Sequence, residues 1–188
     1  MSTGPTEAGA FAALGRVRAA SRLLKALATL GAIGVLGAGI AFVAMPDWFD
    51  SLIPQAFPEL APGYVVTPVK RAGMLALMAV PFAAVLFGLW HVRLLFGAYE
   101  RGEVFTETAA RHIRLVGLAM AANAIAAVIV HSLGSILLTY DSAPGTRQLS
   151  IALGSDTYLL LLTGGLLVVI GWIMGEAARL ADENRQIV

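Results

Sequence analysis

The sequence predicts an all-α protein, an integral membrane four-helix bundle with both termini cytoplasmic and its last three helices extending into the cytoplasm. Three observations lead there. Hydrophobic residues make up 58% of the 188-residue chain and charged residues 13%, about half the roughly 25% typical of soluble domains. Four apolar runs, about 26–45, 72–96, 115–138 and 157–175, are each long enough at ~1.5 Å per residue to cross a ~30 Å hydrocarbon core. Basic residues are shared unevenly among the connections between those runs, which sets a sidedness.

Composition also excludes. A net charge of +1 argues against a direct nucleic-acid-binding surface, which needs clustered basic residues. Without cysteine there is no disulfide, thiolate zinc site, iron–sulfur cluster or cysteine nucleophile. No zincin helix motif, no serine-hydrolase elbow and no deep pair of carboxylates is present, so the expectation is a non-enzyme without cofactor or metal.

Residues 1–25 form the N-terminal cytoplasmic segment and carry Arg16, Arg18, Arg22 and Lys25. The last three share one helical stripe at the membrane edge, a position for anchoring to anionic headgroups. Mixed residues including Glu7 precede the first run, and Pro46-Asp47-Trp48 follows it. That is no cleavage pattern, so the run is expected to be retained as a span. Its glycines, Gly31, Gly34, Gly37 and Gly39, predict a seam where another helix backbone comes close.

Between 46 and 71, Pro46, Pro54, Pro58, Pro62 and Pro68 forbid one continuous helix. A short amphipathic turn is expected around Trp48–Ile53, with Trp48, Phe49, Phe57 and Tyr64 suited to the membrane interface. Asp47, Asp50 and Glu59 lack calcium-loop spacing and are expected to be solvated. The second long helix is expected over about Val69–Arg101, with a modest kink at Pro81.

Gly102 then reads as the helix stop, because glycine takes the left-handed conformation without steric cost. Thr106 can cap the next helix and Glu107 sits in its first turn, where negative charge suits the dipole. So short a turn makes the two helices antiparallel. The third helix, about Glu107–Leu138, carries Asn123 and His131 at membrane depth, where they are expected to face the bundle as hydrogen-bonding glue. A second outer loop, Thr139–Ser155, holds Asp141, Pro144-Gly145 and Arg147. The fourth helix, about Asp156–Gly175, continues without a breaker into a helical tail, 176–188.

Sidedness follows from Arg93, Arg101, Arg111 and Arg114 in the hinge, Arg179 and Arg185 in the tail, and the four basic residues of the N-terminal segment. Against them stand only Lys70, Arg71 and Arg147 in the two opposite loops, so the hinge and both termini are expected inside. An antiparallel hairpin turning at 102–103 also brings His91 within about a turn of His112. A metal there needs a third ligand, with Glu100 or Glu107 nearest, and two ordinary interfacial histidines are the simpler reading. The mixed charge of hinge and tail suits a docking surface formed by Arg111, Arg114, Arg179 and Glu183, with Phe105 and Leu180 as apolar anchors.

The hinge pattern Gly102-x-x-Phe105-Thr106, followed by Arg111-x-x-Arg114, resembles that of a bacterial family of four-helix membrane proteins. So does the ending Glu176-Ala177-x-x-Leu180-x-x-Glu183-Asn184-x-x-Ile187-Val188. The family is domain of unknown function twenty-nine seventy-five, and the resemblance covers roughly residues 20–188 in architecture. It implies an inner-membrane protein, often encoded beside a small helix-turn-helix regulator, without an established activity. The expectation is therefore a sensory or scaffolding membrane module that docks a cytoplasmic partner of that kind, with a homo-oligomer also open. A small transporter or channel is the alternative, supported by the glycine-rich first span, Pro81 and the Asn123/His131 pair.

Overall fold

The computed structural model describes residues 5–60, 64–141, 149–151 and 153–185. Pro62, Pro144-Gly145, Arg147, Ile187, Val188 and the side chains of Arg16 and Arg185 lie outside the described residues. Among those described, regular structure is entirely helical: α1 (Pro5–Ala44), α2 (Pro46–Ala56), α3 (Pro68–Glu100), α4 (Glu107–Thr139) and α5 (Ser155–Arg185).

Helices α1, α3, α4 and α5 are long and apolar enough to cross a membrane. Leu30, Ile40, Val43, Leu166 and Ile173 all stand more than half exposed along them. A helix that is apolar on its outward face as well as its inward one is stable when lipid covers it, which fits a multi-pass membrane protein. Helix α4 is the most enclosed of the four, with 28% of its most apolar stretch buried against 6% for α1 and α3.

Helix α1 begins well before the first apolar run, so Arg18, Arg22 and Lys25 ride on the same unbroken helix as the span. The turn expected at Trp48–Ile53 is a longer helix, α2, started by Pro46 at its first position and carrying Asp47 in its first turn. Proline is tolerated there because the first N–H groups of a helix have no partner within it.

The chain divides into two compact units. One comprises α1 up to Ile33, α3 from Phe87, α4 up to Leu118 and α5 from Gly164. Its core is Leu95, Ala109 and Ile113, with Tyr99, Leu167 and Met174 packed against them. A Cβ on Gly117 would lie 2.5 Å from the Gly164 carbonyl oxygen, and one on Gly171 would lie 2.9 Å from that of Ala110. Helices α4 and α5 therefore meet backbone to backbone at these two glycines. Lys25 and Glu100, far apart in sequence, form an ion pair at 2.8 Å.

Helix α3 ends in this unit as its sequence dictates. Gly102 has φ +85°. Its N–H donates to Tyr99 at 3.1 Å and the Glu103 N–H to Ala98 at 3.0 Å, the two bonds of a Schellman motif. The Thr106 hydroxyl then accepts the Ala109 N–H at 3.2 Å and caps α4.

The second unit comprises α1 from Gly34, α2, α3 up to Leu86, α4 from Ala119 and α5 up to Thr163. Its core joins Phe49 and Ile53 of α2 to Phe57, Leu60, Met74 and Leu138. Gly134 lets Phe57 approach α4, since a Cβ there would sit 2.8 Å from the phenyl ring. Phe42 links Trp48, Phe49 and Phe82 through ring contacts of 5.3–5.9 Å between centroids.

Two expectations about packing are corrected here. A Cβ at Gly34 or Gly37 would meet nothing within 4 Å, so the predicted glycine seam does not close within this chain at those positions. Gly31 makes only ordinary contact with Leu89, at 3.6 Å. Asn123, expected as hydrogen-bonding glue, is half-buried and makes no side-chain hydrogen bond among the described residues.

Candidate functional site

Arg111, Arg114 and Arg179 come together. Arg111 and Arg114 lie one turn apart at the start of α4, and Arg179 projects from the facing part of α5. With Glu107, Glu176, Trp172 and Ile173 they line a groove of about 710 Å³. Gly171 sits in its floor, where the α4–α5 backbone contact leaves no room for a side chain.

Arg179 donates to Glu176 on its own helix at 2.5 Å. Glu183 and Glu107 lie within electrostatic reach of the same guanidinium. Arg111 and Arg114 form no ion pair among the described residues, so two of the three guanidinium groups are left to an incoming anion or carboxylate. Phe105 is 84% exposed and Leu180 49% exposed. Neither lines the groove, so both remain available as apolar contacts. In the hinge, the Arg101 guanidinium hydrogen-bonds Glu103 and lowers that carboxyl from its ordinary value, against an opposing effect of desolvation.

The histidines also meet. His91 Nδ1 lies 3.1 Å from His112 Nδ1, and Phe87 packs edge-on against His91 with centroids 4.4 Å apart. One Nδ1 must carry the hydrogen and the other accept it. No group of three metal-capable side chains exists among the described residues. Glu100 is occupied by Lys25, and the pair reads as a hydrogen bond between α3 and α4.

In the second unit His131 is the centre of a polar cluster and hydrogen-bonds groups outside its own helix. Its Nε2 lies 2.7 Å from Glu59 Oε1 and 3.3 Å from Ser150 Oγ, and its ring stacks on Phe57 at 4.8 Å. The Ser150 N–H in turn donates to Ser135 Oγ at 3.0 Å. Burial pushes the Glu59 carboxyl up, but its own backbone N–H, the Ser150 hydroxyl and His131 together bring it below its ordinary value. Serine, histidine and glutamate here do not form a nucleophilic relay. A relay needs the two ring nitrogens to serve different partners, and both contacts fall on Nε2.

Glu59 is exposed, as expected of a solvated acid, although it also meets His131; Asp50 is half-buried and accepts from Arg71 Nε at 2.9 Å. Lys70, expected only as a loop cation, is 1% exposed.

Residues 53–188 match the family described as Protein of unknown function (DUF2975). The chain belongs to that family. The match takes in the hinge, the arginines of the groove and the tail, and begins inside α2, later than the resemblance placed it. Helix α1 lies outside the stretch that matches DUF2975. No curated protein and no solved structure matches the chain.

Proposed function

We propose that the chain is a non-enzymatic, multi-pass protein of a bacterial inner membrane, with both termini cytoplasmic. It docks a cytoplasmic partner through its hinge and tail as a sensory or scaffolding module. The observation that carries this reading is the groove between α4 and α5, where Arg111 and Arg114 have no ion-pair partner among the described residues. Phe105, 84% exposed in the hinge, adds an apolar anchor of the kind that dominates binding energy. Arginine is suited to the task because its planar fork binds carboxylates in two-point contact. The partner that fits is a helix presenting acidic side chains beside an apolar one, and a small helix-turn-helix regulator is a candidate of that class.

The test is charge reversal. Arg111→Glu combined with Arg179→Glu should leave expression and membrane insertion intact and abolish recovery of a cytoplasmic partner crosslinked from Phe105. If a crosslinker at Phe105 captures no partner even in the unaltered protein, the surface serves only to close the fold. The transporter reading then moves ahead, with flux into proteoliposomes as its measurement.

A further inference from the structure

The second unit holds a half-open pocket of about 250 Å³ that the docking surface does not use. Its walls include Phe42, Phe49, Phe57, Met74 and Met78, with His131 the only strongly polar residue among them. Three phenyl rings offer flat, polarisable surface at ring-contact distance, and methionine side chains adapt to an irregular guest. Among the described residues no charged side chain lines the pocket, so an ionic guest would lose its hydration without compensation from them. The volume lies below the range typical of drug-sized sites, which limits a guest to about one or two rings.

His131 sets the remaining requirement. An ionised carboxylate only accepts, so the 2.7 Å contact with Glu59 requires the hydrogen on Nε2. In the tautomer with its hydrogen on Nε2, Nδ1 is an acceptor, and among the described residues it has no hydrogen-bond partner. Stacking on Phe57 with only 19° between the planes holds the ring in the cavity wall.

We infer that this cavity binds a small neutral aromatic molecule carrying one hydrogen-bond donor, a phenol in chemical class. The ring lies among Phe42, Phe49 and Phe57 and the hydroxyl donates to Nδ1 of His131. An acyl chain of the surrounding lipid is the competing occupant. It would fill the same space with no preference for a donor.

Trp48, its ring tilted against Phe42 at 5.3 Å between centroids, is a reporter beside the pocket. Replacing the other two tryptophans, Trp90→Phe and Trp172→Phe, leaves its emission alone in the full-length chain. Bromine quenches a nearby indole, so the purified protein in lipid nanodiscs is titrated with 4-bromophenol and with bromobenzene. The expected result is saturable quenching by 4-bromophenol at roughly tenfold lower concentration than by bromobenzene, the ratio one neutral hydrogen bond supplies. His131→Phe should remove that ratio while bromobenzene still quenches. Equal quenching by both probes, or quenching that only tracks their partition into lipid, overturns the inference and leaves an acyl-filled gap. Should His131→Phe fail to fold, Met78→Trp, read by 19F NMR of the fluorinated phenol analogue, must by itself abolish saturable binding. If it does not, the site lies elsewhere.

Discussion

Lys70 donates through Nζ to the carbonyl of Leu138 at 2.8 Å, closing the end of α4 with a side chain that is 1% exposed. The same ammonium pairs with the Asp141 carboxylate and faces the Tyr140 ring, 5.5 Å from its centroid. A cation suits this position because the last carbonyls of a helix lack internal donors and carry its negative dipole end. Asp141, in contrast, is 44% exposed.

That asymmetry predicts an unequal response to substitution. Lys70→Met removes the buried charge together with its need for a partner. The Leu138 carbonyl loses a donor at a cost of about 1–3 kcal/mol, and Asp141 turns to water. Asp141→Ala instead strands an ammonium in the interior. Thermal unfolding in detergent should therefore show the larger loss for Asp141→Ala. The reverse order would mean that Lys70 reaches water when its partner is removed.

Acid should weaken the same unit. Lys70 hydrogen-bonds Asp141 and lowers its carboxyl pKa. Glu59 is also lowered, by its backbone N–H, Ser150 and His131 acting against burial. A group depressed in the folded state contributes stability above its unfolded value, about 4 for these side chains, and loses it as pH falls through the folded value. Melting temperature should fall below about pH 4. Glu59→Gln and Asp141→Asn should each start lower at neutral pH and show a shallower decline. Parallel curves for variant and parent would remove these two carboxyls from the account.

Gly117 of α4 and Gly171 of α5 should tolerate nothing larger. Gly117→Ala and Gly171→Ala force a methyl group into opposing backbone, and overpacking of this kind costs about 1–3 kcal/mol. Gly34→Ala and Gly37→Ala meet open space and should leave melting unchanged or raise it slightly, since alanine suits a helix better. Equal losses at all four positions would show that the open face of α1 is covered by something outside this chain.

The difference between these glycines explains part of what the sequence concealed. Gly31, Gly34 and Gly37 are dense, but steps of three residues walk around a helix and spread them over a broad arc. Gly164 and Gly171 are seven apart and stay within about 20° of one face. Density drew attention to α1 where spacing pointed to α5. The hinge was legible because its signals are local: Gly102, Thr106 and Glu107 each act within one turn, and the antiparallel register alone brings His91 beside His112. Glu59 with His131, and Lys70 with Asp141, pair across long stretches of chain and leave no periodic trace. A basic residue at the edge of a span reads as solvated until its neighbours in space are known.

Sidedness can be tested without background because the chain has no cysteine. Val65 is 68% exposed and Phe105 84% exposed. Val65→Cys should react with an impermeant thiol reagent on intact cells, and Phe105→Cys only after permeabilisation. Labelling of Phe105→Cys from outside would invert the proposed orientation.

The turn closed by Gly102 also sets an order of assembly. Loop closure becomes costlier with the logarithm of loop length, so among the four long apolar helices α3 and α4, joined by Arg101–Thr106 alone, are the pair able to meet first. Each withdraws the other's polar groups from lipid: His91 finds His112, and Lys70 finds the end of α4. The two helices thus suit entry into the bilayer as a single hairpin, while Lys25 reaches Glu100 only after α1 returns to it.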